Sequence, residues 1–230
     1  MGEVAIITAR GGSKRMPRKN VKDFCGMPII AYSIRAALES ELFDEVMVST
    51  DDDEIASVAL KFGASVPFMR SSATSGDHTP TYEVIREVIS CYDERDFCFD
   101  TACCIYPTAP FVTADRLRAA CELLRDPIDT VFSVTSFTFP PQRGLVEENG
   151  YMRYWLPENA ETRSQDLEPI FHDAGQFYYL NIPAFKDRKC LIGQNAKGFM
   201  LPPSEVQDID TYDDWKIAEM KYERMLLNHE

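Results

Sequence analysis

Apolar and polar positions follow two alternating rhythms along the chain. Short runs of mostly apolar residues, rich in β-branched side chains, recur at 4–9, 45–50, 101–106 and 130–134. Such runs predict strands buried on both faces. Between them, at 28–38, 51–60, 82–91 and 114–124, apolar residues return every third or fourth position, which predicts amphipathic helices. Pro28 suits a first helical turn. Asp51-Asp52-Asp53-Glu54 sets negative charge where the dipole of the second helix favours it. A further short strand is predicted at 64–68. Repeated strand–helix units predict an α/β fold: one Rossmann-like domain with a mostly parallel sheet and helices on both faces. Sheets of this kind bind ligands beyond the carboxyl ends of their strands.

The rhythm breaks at 137–171, a stretch rich in proline, polar and aromatic residues. It reads as an excursion from the sheet, an arm at 137–175 suited to dimerisation and sugar binding. Strand character resumes at 176–180, and an amphipathic helix at 210–227 closes the chain. No internal repeat, low-complexity tract or flexible linker interrupts the 1–230 domain.

Composition narrows the function. A chain of 230 residues, 45% hydrophobic and 27% charged, can bury a full core without disulfides or a structural metal. No apolar run approaches the ~20 residues of a membrane-spanning helix. The first residues lack the basic-then-apolar order of a signal peptide, so the expected location is the cytoplasm. Seven cysteines without a Cys-x-x-Cys pair read as reduced core thiols. The net charge of −13 argues against nucleic acid or an acidic membrane as partner. Against that background, Arg10, Lys14, Arg15, Arg18, Lys19 and Lys22 crowd into one loop after the first strand. A basic cluster among glycines at that place predicts an anionic ligand.

The loop from Arg10 to Asn20 is the first candidate site. Gly11 and Gly12 let backbone approach a phosphate, and their N–H groups can line an anion pocket. Ser13 adds a short donor, while Arg10 and Lys14 supply positive charge. The run matches neither Gly-x-x-x-x-Gly-Lys-Ser/Thr nor Gly-x-Gly-x-x-Gly, which disfavours a P-loop kinase or a dinucleotide dehydrogenase. Late in the chain, Asp208 and Asp210 alternate around Ile209, so an extended backbone puts both carboxylates on one side. Hard oxygen ligands at that spacing suit Mg²⁺; an Asp-x-Asp pair equally marks a helix start, with Asp210 as N-cap.

Ala9-Arg10-Gly11-Gly12-Ser13-Lys14-Arg15 followed by Pro17-Arg18-Lys19-Asn20 resembles the nucleotide-binding signature of the CMP–sialic acid synthetase family. The resemblance extends from Ile6 to about Trp215, with the motifs in the family's order. It implies that Arg10, Gly12, Ser13 and Lys14 embrace the CTP phosphates, that Gly11, Asn20, Arg70 and Thr81 help bind the nucleotide, and that Asp208 and Asp210 hold Mg²⁺. Tyr106, in Tyr106-Pro107-Thr108-Ala109-Pro110, stands where the family usually carries a sugar-touching glutamine. His172-Asp173-Ala174-Gly175-Gln176-Phe177-Tyr178 resembles the branch acting on pseudaminic acid. By the same resemblance Arg163 meets a sugar carboxylate, across a dimer interface or within one chain, since a guanidinium pairs well with a carboxylate; Gln176 meets an N-acyl group.

The implied reaction is in-line attack by the anomeric hydroxyl of an acidic nine-carbon sugar on the α-phosphorus of CTP, releasing pyrophosphate. Arg10, Lys14 and Asp210 are the expected catalytic residues, with either Asp208 or a metal-bound hydroxide as base. The alternatives are transfer to an N-acylneuraminate or legionaminate, transfer to a neutral sugar phosphate, or a module that binds CTP without turning it over.

Overall fold

The computed structural model describes residues 2–228. In chain order, β1 (Glu3–Thr8) leads through the basic loop to a hairpin of β2 (Asp23–Phe24) and β3 (Met27–Pro28). There follow α1 (Ile29–Ser40), β4 (Glu45–Ser49), α2 (Asp53–Lys61), α3 (Thr81–Asp93), β5 (Thr101–Ile105), α4 (Ala114–Cys121) and β6 (Thr130–Ser136). A second hairpin, β7 (Leu145–Glu148) and β8 (Tyr151–Tyr154), precedes β9 (Phe171–Asn181), α5 (Ile182–Lys186), β10 (Ala196–Met200) and α6 (Tyr212–Asn228).

The main sheet has the order β10-β6-β9-β5-β1-β4. Its strands run parallel except β9, which is antiparallel to both β5 and β6. Helices cover both faces, which is why β1, β4 and β5 are nearly continuous apolar runs. On one face Ala5 and Ile7 meet Ile30 and Ile34 of α1, Ile55 of α2 and Leu117 of α4. On the other, Val4 and Ile6 meet Ile85 and Val88 of α3 and Phe185 of α5. A third apolar cluster joins the two ends of the chain: Met16, Phe24 and Ile29 pack with Ile209, Trp215 and Ala218. No described helix is long and apolar enough to cross a membrane.

Local chemistry sets several boundaries. Asp52 caps α2 by accepting hydrogen bonds from the amides of Glu54 and Ile55, as a side-chain oxygen at an N-cap should. Thr211 and Asp214 cap α6 reciprocally: Thr211 Oγ1 accepts from the Asp214 amide, and Asp214 accepts from the Thr211 amide. This capping box leaves the Asp210 carboxylate out of the helix cap.

Two expectations need correction, and one strand was not anticipated. Residues 64–68 do not form a strand: Ser65 makes one bridge to Met47, and Pro67 has no N–H with which to extend the ladder. The strand expected at 176–180 begins earlier, at Phe171, inside the arm. The edge strand β10 was not expected, because Lys197 and Gly198 interrupt its apolar character and its pattern is mostly exposed. The arm itself contains the β7–β8 hairpin, whose turn holds Asn149 and Gly150 at φ 55 and 83°, the conformation that Asn-Gly favours in two-residue turns.

Candidate active site

The sheet order places β4 on one side of β1 and β5 on the other. The chain therefore reverses its winding beside β1, and a crevice opens beyond the carboxyl ends of β1 and β5. Two adjoining cavities of about 440 and 450 Å³ occupy it, sharing Thr8, Arg10, Arg15, Asp77 and Pro107. Together they form one trough.

The first cavity is walled by the basic loop. Arg10, Ser13, Lys14, Arg15, Lys19 and Asn20 line it, together with Pro107, Thr108 and Asp210. Lys14 and Asp210, far apart in sequence, thus face the same space. The loop holds its shape through side chains: buried Asn20 donates Nδ2 to the Arg10 carbonyl at 2.9 Å. The Gly11 amide donates to Asp51 Oδ1 at 2.9 Å, so this N–H is occupied by protein. Gly11 is required for close packing, since a Cβ there would sit 2.7 Å from Asp52 Oδ2. A Cβ at Gly12 would meet nothing within 4 Å.

Ion pairs organise the charged walls. Arg10 Nη1 lies 2.6 Å from Asp77 Oδ1, and Lys14 pairs with the other oxygen of the same carboxylate. Hydrogen bonds from Lys14 and then Arg10 hold Asp77 below the usual aspartate range. Arg15 Nη1 stands 2.7 Å from Asp210 Oδ2. Lys19 donates to the Ile209 carbonyl at 2.5 Å and lies 3.6 Å from Asp210 Oδ1. Ile209 is buried between its two neighbours, so Asp208 and Asp210 project outward, as the period of two requires. Desolvation, and after it the negative charge of Asp210, push the Asp208 carboxyl upward. Asp208 itself is exposed at the margin.

The second cavity contains Arg70, Thr74, Thr79, Thr81 and Tyr106. Arg70 is buried, and its guanidinium donates to Ser49 Oγ at 3.0 Å and to the Ser49 carbonyl at 2.5 Å. Burial pulls its pKa down, against the charges of Asp51 and Glu87. Tyr106 Oη lies 3.0 Å from Thr81 Oγ1, with the Tyr178 ring 5.4 Å away, and burial pushes its hydroxyl pKa up.

Of the residues named from sequence, Arg10, Ser13, Lys14, Asn20, Arg70, Thr81, Tyr106 and Asp210 border the trough. Gly11, Gly12 and Asp208 stand beside it. Gln176 is buried, with Nε2 donating to the Glu205 carbonyl at 2.7 Å and Oε1 left without a partner. Arg163 lies exposed on the arm, paired with Asp166 at 2.8 Å. Thr8, Thr108 and Asp77 are among the further wall residues; Thr8 carries no sequence mark beyond its place at the end of β1.

A model of the cytidylyltransferase family matches residues 4–192. The chain belongs to this family. It is 40% identical over its full length to a Campylobacter jejuni protein named pseudaminic acid cytidylyltransferase, covering 99% of that protein. It is 32% identical to a Legionella pneumophila CMP-N,N'-diacetyllegionaminic acid synthase, over 94% of each chain. Among solved structures, a CMP:2-keto-3-deoxy-manno-octonic acid synthetase complexed with CTP superposes with TM-score 0.71 at 18% identity, over 98% of this chain and 100% of the other. That likeness establishes the α/β nucleotidyltransferase fold, and the family makes the protein a nucleotidyltransferase.

Proposed function

We propose that the protein transfers CMP from CTP to the anomeric hydroxyl of a nonulosonic acid, pseudaminic acid foremost, and releases pyrophosphate. The observation that carries this reading is the convergence of Lys14, Arg10 and Asp210 on one trough at the switch point of the sheet. The 40% identity to a pseudaminic acid cytidylyltransferase along the whole chain supports the choice of acceptor.

In this reading Arg10, Ser13 and Lys14 receive the phosphates, and the two cations stabilise charge that accumulates on the departing pyrophosphate. Gly12, with open space before it, allows phosphate to approach the backbone. Arg70, Thr81 and Asn20 serve the nucleoside, and Tyr106 meets the sugar. The donor set also suits Mg²⁺. Asp208 and Asp210 are hard oxygen ligands; desolvation and, after it, the negative charge of Asp210 push the Asp208 carboxyl upward, and a cation between them would relieve the second effect. Mg²⁺ usually takes one or two carboxylates and completes its shell with phosphate oxygens and water. Bound there, Mg²⁺ supplies neutralisation of phosphate charge. The chain's own part is positioning and fixed electrostatics, the main sources of rate in such transfers.

The arm supports a homodimer. β7 and β8 are exposed along their whole length, and Tyr151, Met152 and Trp155 present large apolar surfaces. In this reading a second copy covers that face, and Arg163, exposed on the same arm, meets the sugar carboxylate across the interface.

A pyrophosphate-release assay tests the function directly. CTP, UTP and ATP are each offered with pseudaminic, legionaminic and N-acetylneuraminic acids. Turnover with CTP and pseudaminic acid is expected. Turnover only with another acid moves the acceptor. CTP binding without turnover on any acid ends the enzymatic reading.

A further inference from the structure

Asp77 stands out because both of its carboxylate oxygens are engaged by the cations assigned to phosphate. Oδ1 accepts from Arg10 Nη1 at 2.6 Å and Oδ2 pairs with Lys14. A carboxylate bridging the two is placed as an anionic oxygen of a ligand would be. It lines both cavities and retains partial exposure at 31% of its side chain, so a competing anion can reach it.

The segment around it is anchored on one side of Asp77. Glu87 of α3 accepts from the Ser71 amide at 2.7 Å and from the Thr74 hydroxyl. Ser75 Oγ donates back to the Ser71 carbonyl at 2.8 Å. Beyond it, the turn at 76–79 is closed by a long 3.3 Å bond from the Thr79 amide to the Gly76 carbonyl. Asp77 therefore sits on a short tip whose hold on the loop opposite runs through Arg10 and Lys14.

We propose that Asp77 is the resident counter-anion of the phosphate site. It keeps Arg10 and Lys14 aimed in the free enzyme, yields them to the entering triphosphate, and takes them back as pyrophosphate departs. The inference rests on the phosphate role given above to Arg10 and Lys14. Two adjacent cations without an anion would repel each other and hold multivalent product tightly; an internal competitor lowers that affinity and speeds turnover. Asp77 is on this account a positioning residue.

Calorimetric titration of the full chain with inorganic pyrophosphate in Mg²⁺ provides the test, using wild type, Asp77→Asn, Asp77→Ser and Arg10→Ala, each checked for folding by thermal melt. Removing the competitor should tighten pyrophosphate binding about three- to tenfold in both Asp77 variants, the scale of exposed ion pairs. Their kcat should fall while kcat/KM for CTP does not. A purely structural Asp77 would alter the melt alone. Unchanged or weaker pyrophosphate binding in either folded Asp77 variant overturns the inference. Arg10→Ala separates the two layers: if it binds pyrophosphate as wild type does, the phosphate assignment itself fails. If it loses binding while the Asp77 variants gain none, only the role of Asp77 is lost.

Discussion

Arg15 Nη1 lies 2.7 Å from Asp210 Oδ2, so the basic loop and the late carboxylate segment touch directly. Asp210 is outside the α6 cap, which Thr211 and Asp214 make without it. Asp210→Ala should therefore melt close to wild type while losing turnover by about a hundredfold or more, the scale of removing a charge-stabilising group from a transfer site. Rates with saturating Mg²⁺, measured beside the melt, check this. Near-normal kcat would take Asp210 out of the mechanism.

The two glycines of the loop should separate cleanly. Gly11→Ala drives a Cβ to 2.7 Å from Asp52 Oδ2, and overpacking of this kind costs about 1–3 kcal/mol. Gly12→Ala meets nothing within 4 Å and should leave the melting temperature unchanged. A raised KM for CTP in Gly12→Ala alone, with the fold intact, would report close approach of phosphate.

Asp52 links loop and helix through Arg18, whose Nη1 is 2.6 Å from Oδ2. The Arg18 hydrogen bond leads in holding the Asp52 pKa below its ordinary value. Ionised Asp52 therefore adds stability above the unfolded aspartate pKa, and that stability is lost as pH falls through the lower, folded value. Asp52→Ala should cost about 1 kcal/mol at neutral pH, as loss of an N-cap does. Asp52→Asn keeps the cap and isolates the charge: its deficit should vanish as pH falls through the lowered, folded value of Asp52. Melts across pH for both variants read this out.

By the family resemblance Tyr106 stands where sialic acid synthetases usually carry a glutamine, and its hydroxyl meets Thr81 at 3.0 Å. Tyr106→Phe should raise the KM for the acidic sugar about three- to tenfold, one hydrogen bond's worth, with kcat little changed. Tyr106→Gln should shift relative kcat/KM toward N-acetylneuraminic acid. Kinetics with both sugars decide it.

If the arm brings Arg163 into a partner's site, two dead variants should rescue each other. Mixing Arg163→Ala with Asp210→Ala after subunit exchange should restore about a quarter of wild-type activity, because half of the dimers are mixed and each holds one intact site. No recovery, with exchange verified by mass, would place Arg163 within its own chain or outside the reaction.

Much of the framework was legible in the residues. The apolar runs ending at Thr8 and Ile105 read as buried strands because helices cover them on both sides, and the basic cluster between Arg10 and Lys19 marked a loop that lines the trough. The direction of β9 was not legible: Phe177, Tyr178 and Tyr179 pack equally well in either orientation, and reversal depends on where the arm returns. β10 escaped because an exposed edge needs no apolar run. The Asn149-Gly150 pair is the sequence mark of the arm's hairpin. Ion-pair partners such as Asp77 are set by folding alone, since nothing local ties a loop aspartate to Arg10, 67 positions away.

The third apolar cluster, built from Met16, Phe24 and Ile29 on one side and Ile209, Trp215 and Ala218 on the other, ties two distant stretches of chain into one mechanical unit. The basic loop and the segment bearing Asp210 both line the first cavity, so damage to the aromatic packing around Trp215 would loosen both walls together rather than either one alone.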